Sequence, residues 1–179
     1  MPTPPPTLKD YLTGDLIPDV GAESHRQNLL QYLVEVKGYP REALWVDAPI
    51  RTVIGGTPYQ AKIDLIVSAG SPAINYMAFK CCAGSLGSRE REILAAARIF
   101  GKTPIPLAVV SNGKDAIVLD TLTGRTRAQG LDGIPTPSEA IRRLAEWTPA
   151  AYPQERLERE KLIFRTYDQD NINILRAGG

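Results

Sequence analysis

An aspartate and a lysine stand out because each lies within or at the end of an apolar segment. Asp64 interrupts the run 63–67, and Lys80 ends the segment 74–80. A carboxylate inside an apolar strand is costly unless it is paired or binds a metal ion. Two interpretations stay open. Either Asp64 pairs with Lys62 or Lys80 or caps a loop, or it binds a metal ion while Lys80 activates a hydrolytic water.

The chain around these two residues is predicted to form three strands between two helices. A helix is predicted over 23–37, because leucine and valine residues recur there at helical spacing. Strands are predicted over 44–54, 61–68 and 74–80, with a Gly-Gly turn between the first two. A second helix follows over 88–100, with a serine as its N-cap. Neighbouring strands would bring the acid and the lysine close together.

The rest of the chain adds strands and helices around this unit. Strands are predicted over 105–111 and 116–120, joined by an Asn-Gly turn. A capping box at Thr136 starts a helix, and Pro153 opens the last one. The order predicts an α/β fold with a mixed central sheet flanked by helices and a helical C-terminal extension. The four prolines within residues 1–10 predict an extended, poorly ordered lead-in.

Composition excludes several classes of protein. The length of 179 residues fits one domain. Lys and Arg number 21 against 20 Asp and Glu, which argues against nucleic-acid binding by bulk charge but not against a local basic patch. No apolar run approaches the roughly 20 residues of a membrane span, and no secretory signal is evident. With two adjacent cysteines, Cys81 and Cys82, and no disulfide pattern, the cytoplasm is the predicted compartment.

The order of these motifs resembles a known nuclease domain, the N-terminal domain of type I restriction enzyme R subunits, a member of the PD-(D/E)xK nuclease superfamily. The resemblance covers roughly residues 20–125 and predicts a nuclease-like domain over 21–125, a lead-in over 1–20 and an extension over 126–179 packed on the same domain. It rests on a series of short motifs: Glu23 in the first helix, Gly38-Tyr39-Pro40, K-I-D-L-I-V around Asp64, a strand ending in Lys80, a helix, and P-L-A-V-V-S-N-G.

The resemblance implies a restriction-endonuclease-like fold and a site for Mg²⁺. Asp64 would bind the ion, Lys80 would serve the attacking water, and Glu23 would complete the metal shell. The reaction would be in-line attack of water on a phosphodiester of DNA, with the metal stabilising the developing charge.

The sequence departs from the family pattern, which usually has a glutamine at about the position of Glu92 and an acid in the strand that ends in Lys80. Ala78 stands where the motif has an acid two residues before Lys80. In the migration hypothesis, Glu92 or Glu90 on the following helix supplies the missing oxygen, and Glu92 becomes both a catalytic residue and a metal ligand. In the decay hypothesis, the fold persists as a catalytically inactive module that binds nucleic acid, a protein partner or a second copy of itself.

Basic residues cluster in the same stretch of the sequence. They are interpreted either as a solvated helix face or as contacts to DNA phosphates. The loop 82–88 is either a simple connection or a phosphate site at a helix N-terminus. A more distant hypothesis is a small-molecule enzyme that uses Asp64 and Lys80 differently. The residues assigned to nucleic-acid binding are Lys62, Arg89, Arg91 and Arg98.

Overall fold

The computed structural model of the protein describes residues 3–177, with side chains through residue 172. A short hairpin pairs β1 (Thr7–Lys9) with β2 (Leu16–Pro18). Four helices are α1 (Glu23–Gln31), α2 (Glu90–Ile99), α3 (Pro137–Glu146) and α4 (Gln154–Ala177). The central sheet has six strands, which lie side by side in chain order: β3 (Leu44–Ile54), β4 (Thr57–Ala69), β5 (Ile74–Cys81), β6 (Leu107–Ser111), β7 (Ala116–Asp120) and β8 (Thr126–Gln129).

The sheet is mixed because one of its pairs is parallel. β5 and β6 run in the same direction, and α2 crosses over between them, whereas the remaining pairs are antiparallel. A crossover helix is the usual way to join parallel neighbours. The C-terminal ends of β5 and β6 therefore lie at one edge of the sheet, next to the start of α2. The predicted α/β class with a mixed sheet flanked by helices is confirmed.

Apolar side chains fill both faces of the sheet. The α1–α3 core contains Leu29 and Leu30 of α1, Ala140 of α3, and Phe79 of β5. The α2–α4 core contains Phe164 of α4 and the apolar residues of α2, including the alanines 95–97. Alanine side chains are short, so α2 lies close to the strands. This proximity is what allows a side chain at the start of α2 to reach the end of β5.

The N-terminal residues differ from the predicted lead-in. Residues 7–18, predicted to be poorly ordered, form the β1–β2 hairpin, and Asp10 Oδ1 accepts hydrogen bonds from the N–H groups of Leu12 and Thr13 at 2.9 and 2.8 Å. The Tyr11 N–H donates to Gln27 Oε1 on α1 at 2.6 Å. These polar contacts, which apolar periodicity does not reveal, fix the hairpin on the domain.

Two further elements differ from the prediction. α1 ends at Gln31, and the helix continues as a π-helical turn over Tyr32–Val36. β8 lies within the segment predicted to be a helical extension. β8 is a short edge strand with mostly exposed side chains, so it carries little of the apolar alternation that predicts a strand. Residues 1, 2, 178 and 179, which belong to the predicted lead-in and extension, lie outside the described residues.

Candidate active site

The backbone of β3 is left-handed at Asp47, where φ is 52°. No other residue apart from glycine has a positive φ in the described part of the chain, and the conformation is uncommon for such residues. Val46 packs against the α1–α3 core, whereas Ala48 lies in the α2–α4 core. In a regular strand, side chains two positions apart share a face. β3 therefore changes faces at Asp47.

β4 changes faces directly across from Asp47. Ile63 lies in the α2–α4 core and Leu65 in the α1–α3 core, and the strand pairing skips Asp47 and Asp64 between its regular pairs. The Asp64 carboxylate instead accepts a hydrogen bond from the backbone N–H of Cys81 on β5, with 2.7 Å between Oδ2 and N. The break in both strands thus turns Asp64 toward the end of β5.

Lys80, near the end of β5, lies between two carboxylates. Its Nζ is 3.1 Å from Glu92 Oε1 and 3.8 Å from Asp64 Oδ2. The Glu92 side chain is 5 % exposed and reaches Lys80 from the first turn of α2. Glu90 makes no hydrogen bond or ion pair with Asp64 or Lys80 among the described contacts. Of the two glutamates in the migration hypothesis, Glu92 is therefore the one that meets the other candidates.

Burial and the charge of the nearest partner shift the pKa values of Asp64 and Lys80 in opposite directions. Burial raises the pKa of Asp64 above its ordinary value, and the positive charge of Lys80 and the Cys81 N–H offset only part of that effect. Burial lowers the pKa of Lys80, but the charges of Asp64 and Glu92 outweigh it, so the pKa of Lys80 is raised. Lys80 is consequently a stable ammonium at neutral pH.

Glu23 lies at the same cavity but belongs to a second charged group. The Arg26 guanidinium binds its carboxylate through two contacts, with Nη2 at 2.7 Å and Nε at 3.1 Å, and Gln27 donates a third hydrogen bond at 2.8 Å. Arg26 Nη1 also contacts Asp47 Oδ1 at 2.8 Å. Both oxygens of Glu23 are thus bound by residues of its own helix, and among the described contacts Glu23 makes none with Asp64, Lys80 or Glu92.

These two charged groups border one open cavity of about 660 Å³. Asp64 and Lys80 line it together with Glu23, Arg26 and Asp47. Residues of the loop 82–88 and Asn171 of α4 complete the wall. Glu92 lies beneath this wall, behind Lys80 and Asn171.

The four predicted nucleic-acid-binding residues separate into two pairs. Lys62 and Arg89 line the cavity, and Lys62 is exposed, whereas Arg89 Nη1 is bound to Glu92 at 3.2 Å. Arg91 and Arg98 instead contact Glu160 of α4, at 3.6 and 3.1 Å. Arg98 is 6 % exposed and donates to the Thr121 carbonyl, so its guanidinium is held in the protein interior. The prediction that Arg98 contacts DNA does not fit this position.

A family model described as type I restriction enzyme R protein N terminus matches residues 21–135. This range is more than half of the chain. The chain belongs to this family. The predicted resemblance is confirmed, and the match contains Asp64, Lys80 and Glu92 but ends before α3 and α4. Comparisons with curated proteins and with solved structures returned no significant match. No helix in the described part of the chain combines the length and hydropathy of a membrane span.

The restriction R-protein N-terminal family implies Mg²⁺, and the donor set at Asp64 and Glu92 was compared with what this ion needs. Mg²⁺ takes oxygen ligands, is often held by one or two carboxylates and keeps several waters. Asp64 offers a carboxylate at the cavity, and Glu92 a second beside the same lysine. Among the described residues no three acidic, histidine or cysteine side chains are grouped closely enough to enclose a metal. Two carboxylates are thus available, and the other ligands of a Mg²⁺ ion bound here would have to be waters.

Three residues of this R-protein-family site were missed by sequence reasoning. Arg26 lies one turn after Glu23, a spacing that signals a helix ion pair, although such pairs are common on exposed helices. Asp47 breaks the apolar alternation of β3, which is a weak signal on its own. Asn171 has no local signal, because it reaches Glu92 from 79 residues away in the chain.

Proposed function

We propose that the protein is a metal-dependent phosphodiesterase acting on DNA, with Asp64, Lys80 and Glu92 as its catalytic residues. The observation that carries this proposal is the position of Lys80 Nζ, within 3.1 Å of one carboxylate and 3.8 Å of the other, beside an open cavity. Membership of a restriction-enzyme family supports a nuclease-like function in general terms. The migrated carboxylate of Glu92 supplies the acid that Ala78 lacks.

Each residue has a role that follows from its charge and position. Asp64 and Glu92 would hold the Mg²⁺, which when bound supplies a Lewis acid for the phosphoryl oxygens. Because the pKa of Lys80 is raised, its ammonium keeps its proton and acts as a hydrogen-bond donor. It would orient the attacking water and neutralise charge on the phosphate rather than accept a proton.

DNA would enter from the open side of the cavity. Lys62 is exposed there and forms no ion pair with any described residue, so its ammonium is available to a phosphate. Contacts of this kind position a nucleic acid without reading its sequence. In the hydrolysis, water would attack phosphorus in line with the leaving oxygen, so that a P–O bond forms as the opposite P–O bond breaks. The attacking water would release its proton to solvent, and the leaving oxygen would take a proton from solvent.

The test is Mg²⁺- or Mn²⁺-dependent nicking of supercoiled plasmid by the purified protein. Asp64→Ala, Lys80→Ala and Glu92→Ala should each lower the nicking rate by at least about 100-fold, because each removes a charge at the reacting group. Glu90→Ala is the matched control: it removes an acid from the same turn of α2 and should nick like the wild type. Nicking that survives Asp64→Ala and Glu92→Ala would contradict the assignment.

A second candidate, an inactive DNA-binding module, is favoured by one observation. The Glu92 carboxylate is already neutralised by Lys80 and Arg89 and receives a further hydrogen bond from Asn171 at 2.7 Å. A site that is balanced without a metal ion is also what a decayed nuclease would keep. DNA binding by a protein that never nicks in Mg²⁺ or Mn²⁺ would decide for this candidate.

A further inference from the structure

We propose that Asn171 of α4 is a positioning residue for Glu92, so that the C-terminal helix completes a site that the family-matched residues begin. This inference rests on the proposed function, because the purpose of Glu92 there is to bind a metal ion. The match to the R-protein family ends at residue 135, and α4 begins at Gln154. The helix therefore lies outside the residues that the family model matches.

The Asn171 side chain uses both ends of its amide at the site. Nδ2 donates to Glu92 Oε1 at 2.7 Å, and Oδ1 accepts from Arg89 Nη1 at 3.0 Å. The same Arg89 Nη1 lies 3.2 Å from Glu92 Oε2. Asn171, Arg89 and Glu92 thus form a closed ring of contacts, which fixes the plane of the Glu92 carboxylate and leaves Oε1 directed at Lys80.

The body of α4 is attached firmly enough to serve this purpose. Phe164 is buried in the α2–α4 core, and Leu157 and Ile163 pack against the same core. The Tyr59 hydroxyl donates a hydrogen bond to Asp168, one turn before Asn171. These contacts fix α4 on both β4 and α2, so the position of Asn171 relative to Glu92 is set by the fold rather than by the side chain alone.

Loss of the amide has a defined consequence. Without Asn171, Oε1 of Glu92 keeps only Lys80, and Arg89 loses one of its two acceptors. The carboxylate is then free to rotate with Arg89, and Oε1 is no longer held beside Lys80. Hydrogen-bonding partners of metal-binding carboxylates typically account for about 10- to 100-fold in metal affinity.

The test is calorimetric titration of Mn²⁺ into the full-length protein, without DNA, so that the readout is binding and not activity. Asn171→Ala should weaken Mn²⁺ binding by about 10- to 100-fold. Asn171→Leu keeps the side-chain volume, and it should give the same loss if the hydrogen bonds and not the packing are responsible. Thr166→Ala is the control, since this exposed threonine on α4 bonds only to its own helix at 2.9 Å. Circular dichroism shows whether each variant is folded.

Each outcome decides between the two proposals. Weaker Mn²⁺ binding by both Asn171 variants, together with loss in Glu92→Ala and none in Thr166→Ala, supports the positioning role. Binding by the Asn171 variants that equals or exceeds that of the wild type overturns it, as does a loss that Glu92→Ala does not share. If the wild type itself binds no Mn²⁺, both the proposed metal-dependent function and the positioning role of Asn171 are wrong.

Discussion

Asp47 and Asp64 occupy opposite positions on β3 and β4, at the place where both strands change faces. The left-handed backbone at Asp47 adds strain to this place. Arg26 lies beside the pair, contacts Asp47 at 2.8 Å, and lowers the pKa of Asp64 against the stronger effect of burial. Backbone strain of this kind concentrates at functional sites, because packing elsewhere in the domain sustains it.

The left-handed backbone at Asp47 predicts different stabilities for two small substitutions. Asp47→Gly and Asp47→Ala both remove the carboxylate, but only glycine adopts a positive φ without steric strain. The glycine variant should be more stable than the alanine variant by about 1 kcal/mol, measured as the free energy of unfolding in urea. Equal stabilities would show that β3 is not left-handed here.

Asp64 predicts a specific pH dependence of stability. Burial raises its pKa in the folded protein above the ordinary value of 3.8, so the folded state binds more protons than the unfolded state just above that pH. Ionisation of this group therefore lowers stability as the pH rises above about 3.8. Asp64→Asn retains an acceptor for the Cys81 N–H but does not ionise, so it should gain stability relative to the wild type between pH 3 and pH 7.

Urea unfolding of the wild type and Asp64→Asn at pH 3, 5 and 7 measures this difference. Other carboxylates contribute equally to both proteins, so the difference between the two curves isolates position 64. Thr166→Ala, a change at an exposed threonine of α4 that alters no ionisable group, is the control and should give a constant difference. If the stability difference between Asp64→Asn and the wild type does not grow with pH, burial does not raise the pKa of Asp64.

The part of the site that depends on the periodicity of apolar residues could be predicted from the sequence. Asp64 and Lys80 interrupt apolar strands, and neighbouring strands in a hairpin lie side by side, so their proximity follows from local patterns. Glu92 follows similarly from its place on the inner edge of a helix. The position of Asp47 could not be predicted, because a left-handed residue within a strand interrupts the alternation of apolar and polar residues. Asn171 is positioned only by the packing of α4.

Arg98 shows the opposite case, in which local pattern was misleading. It is a basic residue near a helix end, four residues before Lys102, which is typical of a solvated or phosphate-binding surface. Its partner Glu160 comes 62 residues later in the chain, and only the docking of α4 on α2 brings the two together. A long-range partner of this kind turns an apparent surface arginine into a core residue.

The buried pair of Arg98 and Glu160 should be important for stability and irrelevant to DNA. Both side chains are almost inaccessible, and Arg98 also stacks on the Tyr152 ring at 4.9 Å. Glu160→Ala leaves a buried guanidinium without its counter-charge, so the free energy of unfolding should fall by about 3–5 kcal/mol. Arg98→Met with Glu160→Leu should be less destabilising than either single change, because no charge is left unpaired. If the double variant is stably folded but binds DNA more weakly than the wild type, Arg98 does contribute to DNA binding.

Lys62 should contribute to DNA affinity in a salt-dependent manner. Its ammonium is exposed at the cavity and is not neutralised by a described acidic residue. Lys62→Ala should weaken duplex DNA binding and reduce the salt dependence of log K by about one phosphate contact. Lys102→Ala is the matched control, since that lysine is exposed beyond α2 and away from the cavity. Equal losses in the two variants would indicate binding by general charge rather than at the site.

The migration hypothesis makes a prediction about the residue that departs from the motif. Ala78 is fully buried against α2, two positions before Lys80 and on the same face of β5. Ala78→Glu restores the motif acid but adds a second carboxylate beside Glu92 and overfills a closely packed interface. That variant alone should be destabilised by more than the roughly 1–3 kcal/mol of overpacking, because two carboxylates then compete for one lysine.

Combining Ala78→Glu with Glu92→Gln removes that competition and moves the carboxylate back from α2 to β5. If Glu92 has taken over the function of the motif acid, the two changes should couple favourably, by about 0.5–3 kcal/mol in a double-mutant cycle of unfolding free energies. The double variant should also bind Mn²⁺ more tightly than Glu92→Gln alone, since it regains an oxygen ligand near Lys80. Two acids that share one lysine must interact, so their substitutions cannot have independent effects. Additive free energies of unfolding and unchanged Mn²⁺ binding would therefore mean that positions 78 and 92 do not serve the same site.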